Sequence, residues 1–207
     1  MILPDNQSTH SQAAAVIKAG GVIAFRTDTF YGLGADPFNP RAVQRINEIK
    51  GREGKPILIV ISDRNEVSRF ITNQSRAFTL AADMFWPGPL TLIGPTVDVL
   101  PEELTAGTGT IGLRLPDDDL LRAFVRLCGG ALTATSANVS GSPPARSAEE
   151  VRGYFSGKVD LIIDGGTTEA SNASTVVDVT GPQPRVVREG MISRLNLERV
   201  LGQVLSP

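Results

Sequence analysis

Residues 40–62 read PRAVQRINEIKGREGKPILIVIS, and this stretch shows a helical period giving way directly to a strand. Pro40 suits a helix entrance, where the backbone N–H it lacks would have had no intrahelical partner. Val43, Ile46 and Ile49 then recur on one face, so a helix is expected over 40–49. It delivers a cationic string, Lys50-Gly51-Arg52 with Lys55 just beyond. Pro56 to Ser62 follows as an unbroken, β-rich apolar run, the pattern of a strand covered on both faces. An amphipathic helix leading into such a strand points to an α/β chain.

Working outward, residues 11–19 (SQAAAVIKA) predict a helix capped at Ser11 or a nearby polar residue and stopped by Gly20-Gly21. Residues 22–26 (VIAFR) predict a short buried strand running into a loop, TDTFYGLGAD, over 27–36. Downstream, helices are expected at 64–70, 75–84, 118–128, 147–154 and 194–204. Strands are expected at 90–94, 110–115, 131–135, 159–163, 174–179 and 185–188. The prolines and glycine of Trp86-Pro87-Gly88-Pro89 enforce a turn. Strands and helices interleave without a strict βαβ repeat, so a mixed-sheet α/β fold is expected. A length of 207 residues fits one domain, 1–207, with its core over about 9–192 and a short C-terminal helix over about 194–204.

Composition narrows the chemistry. Hydrophobic residues at 41% and charged residues at 20% are those of an ordinary globular domain, which excludes disordered and collagen-like classes. No apolar run reaches the roughly 18–20 residues that span a bilayer, so no membrane association and a cytoplasmic location are expected. Cys128 is the only cysteine and His10 the only histidine. A disulfide framework, a Cys/His metal centre and a Ser-His-Asp triad are thereby set aside. The net charge of -2 gives no support for broad, non-specific nucleic-acid binding. Chemistry must run on Lys, Arg, Ser, Thr, Asp and backbone groups.

Such groups gather in four places. The run Thr27 to Gly34 (TDTFYGLG) offers three hydroxyl side chains, on Thr27, Thr29 and Tyr31, one carboxylate, Asp28, and two glycines that allow close backbone approach to a small polar ligand. A polar turn is the alternative, and composition alone favours it. Lys50, Arg52 and Lys55, set around glycines, suit a polyphosphate, although a solvated helix end explains them equally well. No GxxxxGK[ST] loop is present. In Thr133 to Gly141 (TATSANVSG) an apolar strand runs abruptly into hydroxyls, an amide and small residues that expose backbone N–H groups. The fourth set is Arg114 in TIGLRLP, Ser174-Thr175 in STVVD and Arg188 in VVREG. The combination is a cationic, hydroxyl-rich site without a thiol or imidazole nucleophile, suited to positioning and charge neutralisation in attack on phosphorus.

In the same order along the chain, these segments resemble the motifs of the YrdC-like threonylcarbamoyl-AMP synthases, over about Val16 to Gly190. TDTFYGLGAD is similar to the family's PTDTVYGLG loop, KGREGKP to its KxR segment, and FWPGPLTL to its WPGPLT turn. IGLRLP is similar to the VRLP strand, TSANVSG to SAN-x-SG, and STVVD with VVREG to the closing elements. The resemblance is to the short, single-domain form. It implies a twisted mixed parallel/antiparallel sheet flanked by helices, with a concave electropositive cleft. It also implies a nucleotidyltransferase that makes threonylcarbamoyl-AMP and pyrophosphate from L-threonine, bicarbonate and ATP. The product would pass to a threonylcarbamoyl transferase complex acting on adenosine 37 of tRNA. Carried over by motif, Thr29, Arg114, Ala134 and Ser174 would hold threonine. Lys50, Arg52, Lys55, Thr110, Ser136, Asn138, Pro144 and Arg188 would face ATP, with Lys50 and Arg52 catalytic. Mg2+ would come with ATP, borne mainly by the substrate phosphates.

The chain departs from the family pattern at three points. Arg26 stands where a proline usually precedes TDT, the segment from Arg52 to Lys55 lacks the usual proline and is one residue short, and Val60 replaces a threonine-contacting histidine of some longer members. The rival readings are an RNA-binding module, a catalytically diverged paralogue and a hydrogenase-maturation relative. The aromatic content of 5% is low for base stacking, and the single cysteine excludes the zinc fingers of the last.

Overall fold

The computed structural model describes residues 1–51, 54–169, 172–202 and 205. Its elements run β1 (Ile2–Pro4), α1 (Gln7–Lys18), β2 (Ile23–Arg26), β3 (Tyr31–Gly34), α2 (Pro40–Lys50), β4 (Ile59–Ile61) and a 3-10 helix (Arg64–Arg69). Next come α3 (Arg76–Phe85), β5 (Leu90–Pro95), α4 (Glu102–Thr105), β6 (Thr110–Arg114), α5 (Asp119–Leu127), β7 (Ala131–Thr133) and β8 (Thr135–Ser136). The series closes with α6 (Ala148–Phe155), β9 (Leu161–Asp164), β10 (Thr175–Asp178), β11 (Arg185–Arg188) and α7 (Arg194–Leu201). Positions 203 and 204, where the last helix was expected to end, lie outside the described residues, as does Arg52.

Helix ends follow the capping chemistry. α1 starts four residues earlier than the apolar pattern indicated, because the Asn6 side chain accepts from Thr9 N at 2.9 Å and supplies a better cap than Ser11. Ser11 lies within the helix and donates back to Gln7 O. α2 is capped by Asn39 and ends at Gly51, whose φ of 59° is the left-handed conformation that a residue without Cβ adopts freely.

The strands form two mixed sheets, of order β1-β9-β2-β3-β8 and β11-β10-β5-β6-β4-β7. In the first, β2 pairs with β9 in parallel and with β3 antiparallel. In the second, β6 is antiparallel to β5 and parallel to β4, and β10 is parallel to β5. The mixed α/β architecture expected from the sequence is therefore present, divided over two sheets.

Two local departures shape the site. Tyr31–Gly34, expected as loop, is a fully buried strand in a hairpin with β2, leaving Thr27 to Phe30 as its connection. The expected strand 131–135 splits at Ala134: β7 pairs with β4 in one sheet and β8 with β3 in the other. Thr133 fastens the junction, since its Oγ1 accepts from Ala35 N at 2.8 Å and its N donates to Ala35 O at 3.0 Å. The chain thus passes from one sheet to the other at that point, and a cavity lined by Ala134, Thr135 and Ser136 opens beside it. The core includes Leu33, Ile46, Ile59, Phe70, Phe78 and Leu92, with a second cluster under α1 and α5 around Phe25, Phe124 and Leu161.

Candidate active site

A cavity of about 670 Å³ is lined by the β2–β3 connection, the segment around Lys55, β4 to β6, the β7–β8 crossing, the start of β10 and the end of β11. That size is typical of a small-molecule site. Its floor includes a row across the second sheet in which Val176 pairs with Thr91 and Val60 with Arg114. Among the described residues, the lining side chains include three cations, Lys55, Arg114 and Arg188, and no carboxylate.

Arg114, at the C-terminal end of β6, is only 6% exposed and held on three sides. Its Nε donates to Gly88 O at 3.1 Å, Nη1 to Thr29 Oγ1 at 3.2 Å and Nη2 to Asp28 Oδ2 at 2.5 Å. Gly88 belongs to the Trp86-to-Pro89 turn, itself fixed by Gly88 N donating to Leu115 O and by Trp86 Nε1 donating to Leu90 O. Burial pulls the guanidinium below its ordinary pKa; Asp28 opposes that shift and Arg188 adds to it. Asp28 Oδ1 is buried and has no hydrogen-bond partner among the described residues.

On the other wall Arg188 donates from Nε and Nη2 to Ser174 O, at 3.2 and 2.9 Å, and from Nη2 to Ser174 Oγ at 3.2 Å. Burial lowers its pKa also. Ser174 Oγ in turn meets Thr91 Oγ1 at 3.1 Å. Tyr31, below the mouth, accepts from Gly165 N and donates to Gly166 O at 2.8 Å, and burial pushes its phenol up to about 12. It is therefore a neutral hydrogen-bonding post near pH 7.

Lys50, the last residue of α2, is 3% exposed and does not line the cavity. Its ammonium donates to the carbonyls of Ser136 and, at 2.8 Å, of Asn138. It thus holds the loop after β8 from behind. Asn138 braces the same loop by donating to Val139 O and Ser142 O, while its own Oδ1 is buried without a partner among the described residues.

Of the residues expected at a ligand site, Thr29, Arg114, Ala134, Ser174, Lys55, Ser136, Pro144 and Arg188 all line this one cavity. Lys50 and Asn138 stand behind it. Thr110 is four positions along β6 from Arg114, about 13 Å away at strand rise, where it bonds Thr108 rather than facing the cavity. Arg52 lies outside the described residues. Arg26 ends β2 facing away from this cavity, 3.9 Å from Asp118. Thr91 and Tyr31 also line the site, and Asp28 anchors Arg114; Asp28 and Tyr31 stand out in the sequence as part of the polar run after β2, whereas Thr91 does not. Among the described residues no group of three or more His, Cys, Asp or Glu side chains is placed to hold a metal ion.

The Sua5/YciO/YrdC family model, described as "Telomere recombination", matches residues 15–190. The chain belongs to the Sua5/YciO/YrdC family. Its relatives include the threonylcarbamoyl-AMP synthase of Pyrococcus abyssi, 37% identical over 93% of this chain and 57% of that protein. The enzyme of the same name from Bacillus subtilis is 37% identical over 98% of this chain and 59% of that one. This member therefore spans between half and two thirds of the length of these two relatives. A crystal structure of Pyrococcus abyssi Sua5 complexed with L-threonine superposes with a TM-score of 0.93, at 35% identity over all of this chain and 61% of that one. The Sua5/YciO/YrdC fold thus accounts for every described element, and among the described residues no helix is long and apolar enough to cross a membrane.

Proposed function

We propose that this protein is a nucleotidyltransferase that forms threonylcarbamoyl-AMP from L-threonine, bicarbonate and ATP. The observation that carries the proposal is the convergence on one cavity of Thr29, Arg114, Ala134 and Ser174 with Lys55, Ser136, Pro144 and Arg188. The first four match the motifs that would hold threonine, and the second four those that would face ATP. A family relative crystallised with L-threonine supports the same reading.

The Arg114 guanidinium, fixed by Asp28, Thr29 and Gly88, would receive the amino-acid carboxylate through its remaining N–H groups. The threonine amine and bicarbonate would condense to a carbamate with loss of water. A carbamate oxygen would then attack the α-phosphorus, and the bond from that phosphorus to the bridging oxygen would break to release pyrophosphate. Arg188 and Lys55 would neutralise the phosphates, with Arg52 as the cation at the reacting phosphoryl group. Lys50, which donates to Ser136 O and Asn138 O, would act one step removed by bracing the loop that would face the phosphates. Mg2+ would travel on ATP, since the described residues of the cavity lining offer no carboxylate to ligate it, and would supply charge neutralisation. In the cytoplasm, the product would serve a separate transferase that modifies adenosine 37 of tRNA.

Calorimetry with ATP and a panel of amino acids tests this directly. Saturable binding of ATP and a preference for L-threonine over serine and valine are expected. Binding of structured RNA in the absence of either small ligand would favour an RNA-binding module instead.

A further inference from the structure

Among the described residues, the three cations that line the cavity are not electrostatically equivalent. Arg188 rests on neutral acceptors, the carbonyl and hydroxyl of Ser174. Lys55 has no ion pair among the described residues. Arg114 alone of the three is paired with a carboxylate, Asp28, in a contact where the two side chains are 8% and 16% exposed. Screening by water is weak in such a position, so the pair is close to neutral at a distance and acts locally as a fixed dipole. The cavity therefore has a net-positive end at Arg188 and Lys55 and a charge-balanced end at Arg114.

A ligand with several negative charges matches the first end. At the second it would gain from Arg114 but meet the Asp28 carboxylate behind it. A zwitterion, with its carboxylate and ammonium side by side, matches the charge-balanced end. We propose that Asp28 is a specificity-determining residue that sorts the two substrates by charge, reserving the Arg114 end of the cavity for a zwitterionic amino acid and leaving phosphate groups to Arg188 and Lys55. This rests on the amino-acid and ATP reading of the same cavity. It assigns Asp28 a role beyond holding the Arg114 fork in place: without its charge, the cavity would offer a third unneutralised cation.

The test is competition calorimetry with L-threonine and inorganic pyrophosphate on the full chain. In the wild type, pyrophosphate should displace ATP yet change threonine affinity less than about threefold, because the ligands occupy differently charged ends. In Asp28→Asn, threonine should bind about tenfold more weakly or worse, and pyrophosphate should become its competitor. Asp28→Glu, which restores charge but not shape, should again exclude pyrophosphate from the threonine end. A merely structural Asp28 would weaken threonine binding in both variants without changing the competition pattern. Pyrophosphate competing with threonine in the wild type would overturn the proposal, and that measurement stands even if Asp28→Asn fails to fold. If the wild type binds neither threonine nor ATP, the functional reading fails. Charge sorting is then judged on pyrophosphate alone, which must bind more tightly to Asp28→Asn than to wild type.

Discussion

Replacing Arg114 by Met tests whether the site is also a structural keystone. The substitution removes hydrogen bonds to Gly88 O, Thr29 Oγ1 and Asp28 Oδ2 and leaves the Asp28 carboxylate without its counter-charge, in a position where its side chain is 16% exposed. Removing one member of a buried ion pair costs about 3–5 kcal/mol, because the remaining charge keeps its desolvation penalty. A domain of this size loses about 2–4 °C of Tm per kcal/mol, so R114M should melt about 6–20 °C lower. The companion R114M/D28N removes the stranded charge and should recover about half of that loss, a non-additivity expected of residues in direct contact. Thermal melts and urea titrations of wild type, both single variants and the double variant close the cycle. A loss below about 1 kcal/mol for R114M, or strictly additive effects, would refute the description of this pair as buried and coupled.

Three further outcomes follow from the same structure. A Cβ on Gly190 would lie 2.1 Å from Ala173 O and 2.7 Å from Ser174 C, so Gly190→Ala must displace the Ala173–Ser174 backbone that leads into β10. It should cost about 1–3 kcal/mol in a denaturant titration and weaken threonine binding in calorimetry. Burial pushes the Cys128 thiol up to about 12, so only about one molecule in ten thousand is thiolate at pH 8; native protein should resist a thiol reagent that labels it readily in urea. Burial raises the Asp160 pKa, but hydrogen bonds from Arg45 and Val22 N outweigh it and leave the carboxyl below its ordinary 3.8. That contribution is present above the unfolded pKa and lost as pH falls through the folded one. Asp160→Asn should thus cost about 1 kcal/mol or less at pH 7, given this pair's exposure, and progressively less in acid-dependent melts as the folded carboxyl is protonated.

Much of the fold was legible because period and punctuation agreed. α2 reads from Pro40, its apolar face and Gly51; β5 and β6 read from their apolar runs. Tyr31–Gly34 did not, since two glycines and a polar flank look like a turn until β2 and β8 are present to pair with them. Nor does sequence reveal that Thr133 and Thr135 serve different sheets, which depends on where β4 and β3 end up. At the site, motifs identified most of the cavity wall. What they left out was long-range partnership: Asp28 with Arg114, 86 residues apart, and Lys50 with the carbonyls of Ser136 and Asn138. Residue type marks Lys50 as a cation for phosphate; its surroundings add the carbonyls of Ser136 and Asn138 as acceptors of its ammonium.

The central claim is the reaction itself. Purified protein incubated with L-threonine, bicarbonate, ATP and Mg2+ should yield threonylcarbamoyl-AMP by mass spectrometry together with an equal amount of pyrophosphate, and omission of any one substrate should abolish both. Pyrophosphate release that does not depend on bicarbonate, or no adenylate product from folded protein, would contradict it.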